Sequence, residues 1–222
     1  MKVEDLRNFE KEIEEIYETG VIRAPVHLRD GNESFLINIF KNQEIKEDDY
    51  LFSTWASHSH ALLKGVPPVQ IKKDILEGRS ITLHYPEHNF YSSAIVGGIA
   101  PIALGGAHAL NDKQGLQFIS DFGPIHERRC FCFIGDMSFH TGIVNECIRY
   151  SIGHDLPIVW VIEDNSKSVG TDTESTCGIK TFDLFDRLRK FIKDYECKNC
   201  KIVYYPYETH YPHSGTGVFV EF

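Results

Sequence analysis

Two apolar segments joined by an amphipathic stretch dominate the hydrophobic pattern of this chain. Residues 130–134 and 157–162 are almost wholly apolar and are short enough to be fully buried strands. Between them, residues 141–153 carry apolar positions at helical spacing. The pattern therefore predicts a strand–helix–strand unit whose two strands are parallel and end at the same edge of a sheet.

Helical spacing and strand-like runs recur on both sides of this unit. Apolar positions from Leu6 to Tyr17 predict an opening helix that Gly20 ends. Further helices are predicted over 69–76, 92–110 and 182–193, and further strands over 202–205 and 218–220. The alternation indicates an α/β fold, with a doubly wound, mainly parallel sheet between flanking helices. We expect a single domain over 1–222 with an N-terminal helical extension over 1–50.

Composition and charge narrow the function classes. The chain has 222 residues, of which 42% are hydrophobic, enough for one sizeable core. Its net charge of -9, without a basic cluster among aromatics, argues against nucleic-acid binding. The sequence has neither a membrane-length apolar run nor a signal-peptide pattern, so we expect a cytoplasmic protein that does not bind membranes. Cys197-x-x-Cys200 supplies only half of a zinc site's ligands, so a solvent-facing loop is favoured over a metal or redox role.

Oxygen-bearing side chains follow both central strands. Gly135 and Asp136 come directly after the first strand, and Asn165 follows the second. Because parallel strands end at one sheet edge, Asp136 and Asn165 are expected to converge there. Carboxylate and amide oxygens suit Mg²⁺ that bridges to a diphosphate. The alternative is a helix-capping role for Asp136 and a left-handed loop conformation for Asn165.

Three segments carry a resemblance to a known family. The stretch from Gly135 to Asn165 resembles the thiamine-diphosphate motif, which begins Gly-Asp-Gly and ends in Asn one helix and one strand later. The glycine-rich residues 95–107 and the segment Ser57-His58-Ser59-His60 are similar to the alpha subunit of the decarboxylating component of 2-oxo acid dehydrogenase complexes. The resemblance as a whole runs over residues 52–222, and these three segments are its most specific parts.

The resemblance implies thiamine diphosphate and Mg²⁺ as cofactors. The metal ligands would be the side chains of Asp136 and Asn165 and the backbone carbonyl of Lys167. The other cofactor-binding positions implied are Gly135, Met137, Ser138, His58, and the backbones of Ala94 and Val96, which would contact the aminopyrimidine ring.

Histidines are the catalytic candidates. His58 and His60 alternate along a short segment, so both are expected to point into one cleft, and two surface histidines are the alternative. Near the C-terminus, a loop with His210 and His213 resembles the family's active-site loop, and we favour His213 as the substrate-facing residue. A plain turn is the alternative there.

Two positions depart from the family pattern. Met137 stands where the motif has its second Gly, and it would be strained if that turn needs a positive φ. Ala56 stands where many members have an Arg that contacts the diphosphate, so the phosphates must be neutralised in another way, for example by the nearby histidines.

The implied activity is that of the alpha subunit of a thiamine-diphosphate enzyme, a dehydrogenase-like oxidoreductase that cleaves a 2-oxo acid or ketose donor through a C2 carbanion/enamine adduct. The chain is too short to hold a pyrimidine-binding domain as well. We therefore expect a beta subunit that carries that domain and the catalytic Glu, in an alpha/beta heterotetramer. Two alternatives stay open: a split transketolase-like or carboligating transferase that moves a two-carbon unit to a sugar or aldehyde, and a non-catalytic metabolite-binding module.

Overall fold

The structure, a computed structural model, describes residues 1–111, 128–168 and 171–209. The helices are α1 (Val3–Glu18), α2 (Glu33–Asn42), α3 (His58–Leu63), α4 (Pro68–Leu76), α5 (Ile99–Asn111), α6 (Asp136–Phe139), α7 (Gly142–Gly153), α8 (Thr173–Cys177) and α9 (Thr181–Asp194). The strands are β1 (Tyr50–Ser53), β2 (His84–Tyr85), β3 (Phe90–Ser92), β4 (Cys130–Gly135), β5 (Ile158–Asp164), β6 (Lys167–Ser168), β7 (Thr171–Asp172) and β8 (Lys201–Pro206).

A mainly parallel sheet organises the described part of the chain. Its strand order is β2-β3-β1-β4-β5-β8, and β2 at one edge is the antiparallel member. The register places Gly135 of β4 opposite Glu163 of β5, and Asp164 of β5 opposite Pro206 of β8. The carboxyl ends of these three strands therefore meet at one edge, and Asp136 follows directly from it.

Helices bury both faces of this sheet, which confirms the predicted α/β class. Along β4, alternate side chains enter two separate hydrophobic clusters, with Phe131 and Phe133 on one face and Cys132 and Ile134 on the other. The first cluster includes residues of α1 to α4, and the second includes residues of α5, α7 and α9. Because both faces are covered, β4 and β5 are apolar along nearly their whole length, as buried parallel strands require.

The N-terminal helices contribute to the first cluster. Leu6 and Ile13 of α1 and Leu36 of α2 are fully buried there together with Leu51 of β1.

None of the helices in the described ranges is long and apolar enough to cross a membrane.

Most of the predicted elements are confirmed, with ends shifted by a few residues. The central unit is β4, α7 and β5, and the other confirmed predictions are α1, α4, α9 and β8. The strand predicted over 218–220 lies outside the described residues. The short strands β1 to β3 and the helix α2 were not predicted, since their apolar runs are brief.

The helix predicted over 92–110 is wrong in its first part. Residues 93–98 form a loop in which Gly97 has φ +72°, and α5 begins only at Ile99. Further along, a Cβ added to Gly106 would lie 3.0 Å from Cζ of Phe52 and 3.5 Å from Sγ of Cys130. This glycine therefore allows α5 to lie close against β1 and β4, the close approach that its glycine content indicates.

The two thiols of the Cys-x-x-Cys segment pack against the end of α7, while the two residues between the cysteines are exposed, as predicted for a solvent-facing loop. Cys200 is buried, and its Sγ lies 3.4 Å from Oγ of Ser151. Cys197 donates from Sγ to the carbonyl of Ile152 at 3.3 Å. Within the described ranges no cluster of three or more His, Cys, Asp or Glu side chains could hold a metal ion. Both thiols thus make packing contacts with the last turn of α7.

Ser151 also supports the central strand. Its Oγ accepts a 2.9 Å hydrogen bond from Nε1 of Trp160, and both side chains are fully buried. We predict that Ser151→Ala lowers the free energy of unfolding by about 1–3 kcal/mol, because the indole N–H would lose its acceptor. Urea denaturation measures this loss. Ser34→Ala, at an exposed position of α2, is the control and should change stability by less than about 0.5 kcal/mol; an equal effect of both substitutions contradicts the assignment.

Candidate functional site

Asp136 lies at the centre of the sheet edge where β4 ends. It is the first residue of α6, and only 3% of it is exposed. Oδ2 of its carboxylate accepts a 2.6 Å hydrogen bond from Oγ1 of Thr173. Because Gly135 pairs with Glu163, Asp136 is level with Asp164 on the neighbouring strand. The strand register thus brings two carboxylates together.

The ionised form of the Asp136 side chain is energetically unfavourable at this position. The pKa of Asp136 is raised to about 6, mainly by burial; the hydrogen bond from Thr173 opposes this rise, and the nearby Asp164 adds to it. A cation bound at this carboxylate would offset both the burial and the repulsion. The electrostatics of the edge therefore favour a cation there.

The loop after β5 is held by its own side chains. Oδ1 of Asp164 accepts from the backbone N–H of Ser166 at 2.9 Å, and Oδ1 of Asn165 accepts from that of Lys167 at 3.2 Å. Oδ2 of Asp164 accepts from the hydroxyl of Tyr204 at 2.7 Å. Ser166, and not Asn165, has the left-handed conformation, with φ +58°. Two consecutive Asx turns thus fix the position of Asn165, and the alternative of a left-handed Asn165 is wrong.

The donors at this edge fit a magnesium ion that a ligand helps to coordinate. Asp136 offers carboxylate oxygens and Asn165 an amide oxygen, at the ends of strands that are neighbours in the sheet. Mg²⁺ is usually held by one or two protein carboxylates together with phosphate oxygens, rather than by a cage of protein ligands. A Cβ added to Gly135 meets no described atom within 4 Å, so there is space beside the turn.

Met137 is accommodated without strain. It lies within α6 and has no positive φ, so the strain expected of a left-handed Met does not arise. Its Sδ lies 3.7 Å from Sγ of Cys177 in α8. The next residue, Ser138, is buried, and its carbonyl accepts from Oγ1 of Thr141 at 2.6 Å.

The loop 93–98 reaches the same part of the molecule. It follows β3, which is parallel to β1 and ends at the same sheet edge. A Cβ added to Gly97 would lie 2.9 Å from Cγ2 of Ile143 and 3.0 Å from Oγ1 of Thr141. The structure therefore places the loop that contains Ala94 and Val96 against the start of α7, close to the turn after β4.

His58 is buried in a helix and is bonded through both ring nitrogens. Its Nδ1 lies 3.1 Å from Oε2 of Glu10, and its Nε2 lies 2.8 Å from Oγ of Ser80. Since α3 begins at His58, His58 and His60 do not alternate along an extended segment, and residues two apart on a helix do not share a face. The expectation of one shared cleft-facing side is wrong, as is the alternative of two surface histidines.

His60 joins a different hydrogen-bond network. Its Nδ1 lies 2.7 Å from Oγ of Ser53, and its Nε2 lies 3.2 Å from Oε1 of Glu163. Only 1% of His60 is exposed. His60 thus links the end of β1 to the end of β5.

Glu163 is the centre of this network, which the sequence reasoning missed. Arg29 forms a salt bridge with Oε2 of Glu163, while Tyr205, His60 and Asn32 contact Oε1. Burial alone would raise the pKa of Glu163, but Arg29 and His60 hold it below its ordinary value. An acidic residue at the end of an apolar strand is a sequence signal for such a partner.

The remaining predicted site residues add little to the description of the site. Lys167 lies in β6, where it pairs with Asp172 and is exposed. His210 and His213 lie outside the described residues. Ala56 is 6% exposed, so the position that departs from the family's Arg is a packed one.

Comparison with known proteins gives consistent matches. A family model described as dehydrogenase E1 component matches residues 1–184. A pyruvate dehydrogenase E1 component subunit alpha from Porphyra purpurea is 31% identical over 174 residues, which cover 74% of this chain and 49% of the relative. The protein of the same name from Rickettsia conorii is 28% identical over 176 residues, 75% of this chain and 50% of the relative. The chain therefore spans about half the length of these relatives.

The charge cost at Asp136 leads to a prediction about pH. Between the ordinary pKa of 3.8 and the folded-state pKa of about 6, the folded chain binds more protons than the unfolded chain. Stability contributed by this group is therefore lost as the pH rises, and the loss is complete above about pH 6. Without divalent metal, Asp136→Asn should stabilise the chain by about 2–3 kcal/mol more near pH 7.5 than near pH 4. Urea denaturation with a chelator at both pH values measures the difference, and an equal gain at both would refute it.

The buried pair leads to a second prediction. The side chain of Arg29 is 11% exposed and that of Glu163 is fully buried. Arg29→Met would leave a buried carboxylate without its cation, and we expect a loss of about 3–5 kcal/mol in unfolding free energy. Arg189, 64% exposed in its pair with Asp186, provides the control, since Arg189→Met should have a far smaller effect. Similar urea midpoints for the two variants would contradict the prediction.

Proposed function

This chain belongs to the dehydrogenase E1 component family, and from that premise we propose that it acts as the alpha subunit of a thiamine-diphosphate enzyme that decarboxylates a 2-oxo acid. The observation that carries the proposal is the pair Asp136 and Asn165 at the ends of neighbouring parallel strands. The names of its relatives, pyruvate dehydrogenase E1 component subunit alpha, support a 2-oxo acid as the substrate class.

We assign the metal site to this edge. The Asp136 carboxylate and the Asn165 side-chain oxygen would hold Mg²⁺, with the backbone carbonyl of Lys167 as a third protein ligand. The diphosphate would approach over Gly135 and the first turn of α6, where Met137 and Ser138 lie. Two phosphates bring the remaining oxygen ligands that Mg²⁺ needs.

When bound, thiamine diphosphate supplies a nucleophilic carbon for the carbonyl of the 2-oxo acid. The chain's own part is to hold the diphosphate end and to orient the rest of the cofactor. The backbones of Ala94 and Val96, in the loop against α7, are our proposed contacts to the aminopyrimidine ring.

The histidines divide into two groups in this proposal. His58 and His60 each have both ring nitrogens next to a carboxylate or a hydroxyl, so we assign them to positioning the helix and strand ends around the site. His213, with His210 as the alternative, is the proposed group that faces the substrate.

A partner subunit is the next part of the proposal. The apolar side chains of Ile95, Val96 and Ile143 are exposed by 69%, 48% and 46% beside the proposed site. Exposed apolar groups next to a site suit burial by another protein. We propose a beta subunit that carries the pyrimidine-binding domain and the catalytic Glu, in an alpha/beta heterotetramer. The six free cysteines suit the reducing cytoplasm.

One observation favours a second candidate function. Ala56 has no charge at the position where many family members bind the diphosphate through an Arg. A non-catalytic metabolite-binding module that kept the fold would not need this Arg. Calorimetry with Mg²⁺ and thiamine diphosphate, in the presence of the partner, separates the two. Absence of binding would favour the module.

Asp136→Ala tests the metal assignment. We predict that the variant loses Mg²⁺-dependent binding of thiamine diphosphate and keeps its fold, because a main metal ligand is removed without creating a buried charge. Calorimetry measures the binding, and circular dichroism checks the fold. Asp194→Ala, at the exposed end of α9, is the control and should bind as the wild type does. Retained affinity in Asp136→Ala would refute the ligand role.

An activity assay then distinguishes the reaction classes. The chain and its partner are supplied with 2-oxo acids and an artificial electron acceptor, and separately with ketose phosphates and an aldehyde. Turnover in the first assay is expected, and turnover in the second alone would identify a transketolase-like transferase.

A further inference from the structure

Thr173 connects the two loops that carry the proposed metal ligands. It is the first residue of α8 and is 1% exposed. Its hydroxyl donates to Oδ2 of Asp136 at 2.6 Å, across 37 positions of sequence. Its backbone N–H donates to the carbonyl of Ser166 at 3.1 Å. A single residue thus bonds to the turn after β4 and to the loop after β5.

The position of Thr173 is itself fixed from two sides. The paired strands β6 and β7 return the chain toward the sheet edge, with Lys167 opposite Asp172. Asp172 then caps α8 by accepting from the backbone N–H of Ser175 at 2.7 Å. At the other end of α8, Cys177 contacts Met137 of α6. The helix α8 is therefore held against the motif turn independently of the Thr173 hydroxyl.

We propose that Thr173 is a positioning residue that orients the Asp136 carboxylate for the metal ion. This inference rests on the proposed function and extends it to a residue that is not itself a proposed metal ligand. The carboxylate has lone-pair sites on both oxygens, so one hydrogen bond at Oδ2 leaves sites for a metal. Mg²⁺ requires near-ideal octahedral geometry, and a ligating carboxylate that is free to rotate meets this requirement only part of the time.

Hydrogen bonds to ligating side chains contribute measurably to metal sites. Loss of such a partner typically costs 10- to 100-fold in metal affinity or activity. The alternative for Thr173 is a buried hydroxyl that merely finds an acceptor. That role would affect stability, whereas the positioning role affects metal affinity in the folded protein.

The test compares variants of the full chain, assembled with the partner subunit, by their affinity for Mn²⁺ in the presence of thiamine diphosphate. Mn²⁺ serves as a spectroscopic substitute for Mg²⁺. Electron paramagnetic resonance measures free Mn²⁺ during a titration. We predict that Thr173→Val, which keeps the shape and removes the hydroxyl, weakens Mn²⁺ binding about 10- to 100-fold. Thr173→Ser keeps the hydroxyl and should stay within about threefold of the wild type.

Thr176→Val is the matched control within the same helix. Thr176 is exposed, and its hydroxyl donates to the carbonyl of Asp172 rather than to a proposed ligand. Its Mn²⁺ affinity should equal that of the wild type. Circular dichroism and urea midpoints identify conditions under which every variant is folded. If the Val variant is unstable, Thr173→Ala gives the same prediction, because it also removes the hydroxyl.

The outcomes separate this inference from the function on which it rests. A wild-type chain that binds no Mn²⁺ with thiamine diphosphate overturns the metal site itself. A wild type that binds, together with Thr173→Val of equal affinity, overturns the positioning role alone. Weak binding by Val and Ala, wild-type binding by Ser and an unaffected control support it.

Discussion

The register between β4 and β5 is the constraint on which the rest of this structure depends. Gly135 pairs with Glu163, so Asp136 emerges level with Asp164, and Asn165 follows one residue later. A slip of one position would turn every side chain of the moved strand to the opposite face. Both strands are buried on both sides, and the apolar clusters therefore hold this register. The positions of Asp136 and Asn165 follow from it.

This register also concentrates negative charge at the carboxyl edge of the sheet, which is unfavourable. Asp136, Glu163 and Asp164 lie within two neighbouring strand ends, and all three are buried. Glu163 is neutralised by Arg29, which comes from the segment between α1 and α2. Asp164 is satisfied by Tyr204 and by its own loop. Among the described residues, Asp136 has hydrogen-bond partners but no cation beside it. A divalent ion bound there would therefore offset more unfavourable charge than at Glu163 or Asp164.

The local pattern of the sequence predicted the centre of the fold well and its long-range contacts poorly. The run from β4 to β5 is long and periodic enough to identify, and family membership confirms the resemblance seen in the stretch from Gly135 to Asn165. By contrast, Arg29 and Glu163 are 134 positions apart in the sequence. A local sequence pattern cannot predict a contact over that separation. The same reason explains why Thr173 was overlooked. The two histidines of α3 were misplaced because an alternating pair was interpreted as extended chain.

The double Asx turn after β5 has a consequence for how a ligand would enter. Each of its side chains already makes the bond that fixes the next peptide, so the backbone around Asn165 has little freedom left to lose. The conformational entropy of ordering this segment is incurred when the chain folds and not when a ligand arrives. The segment around Asn165 is accordingly preorganised, and its ordering should add no slow step to the association of a ligand.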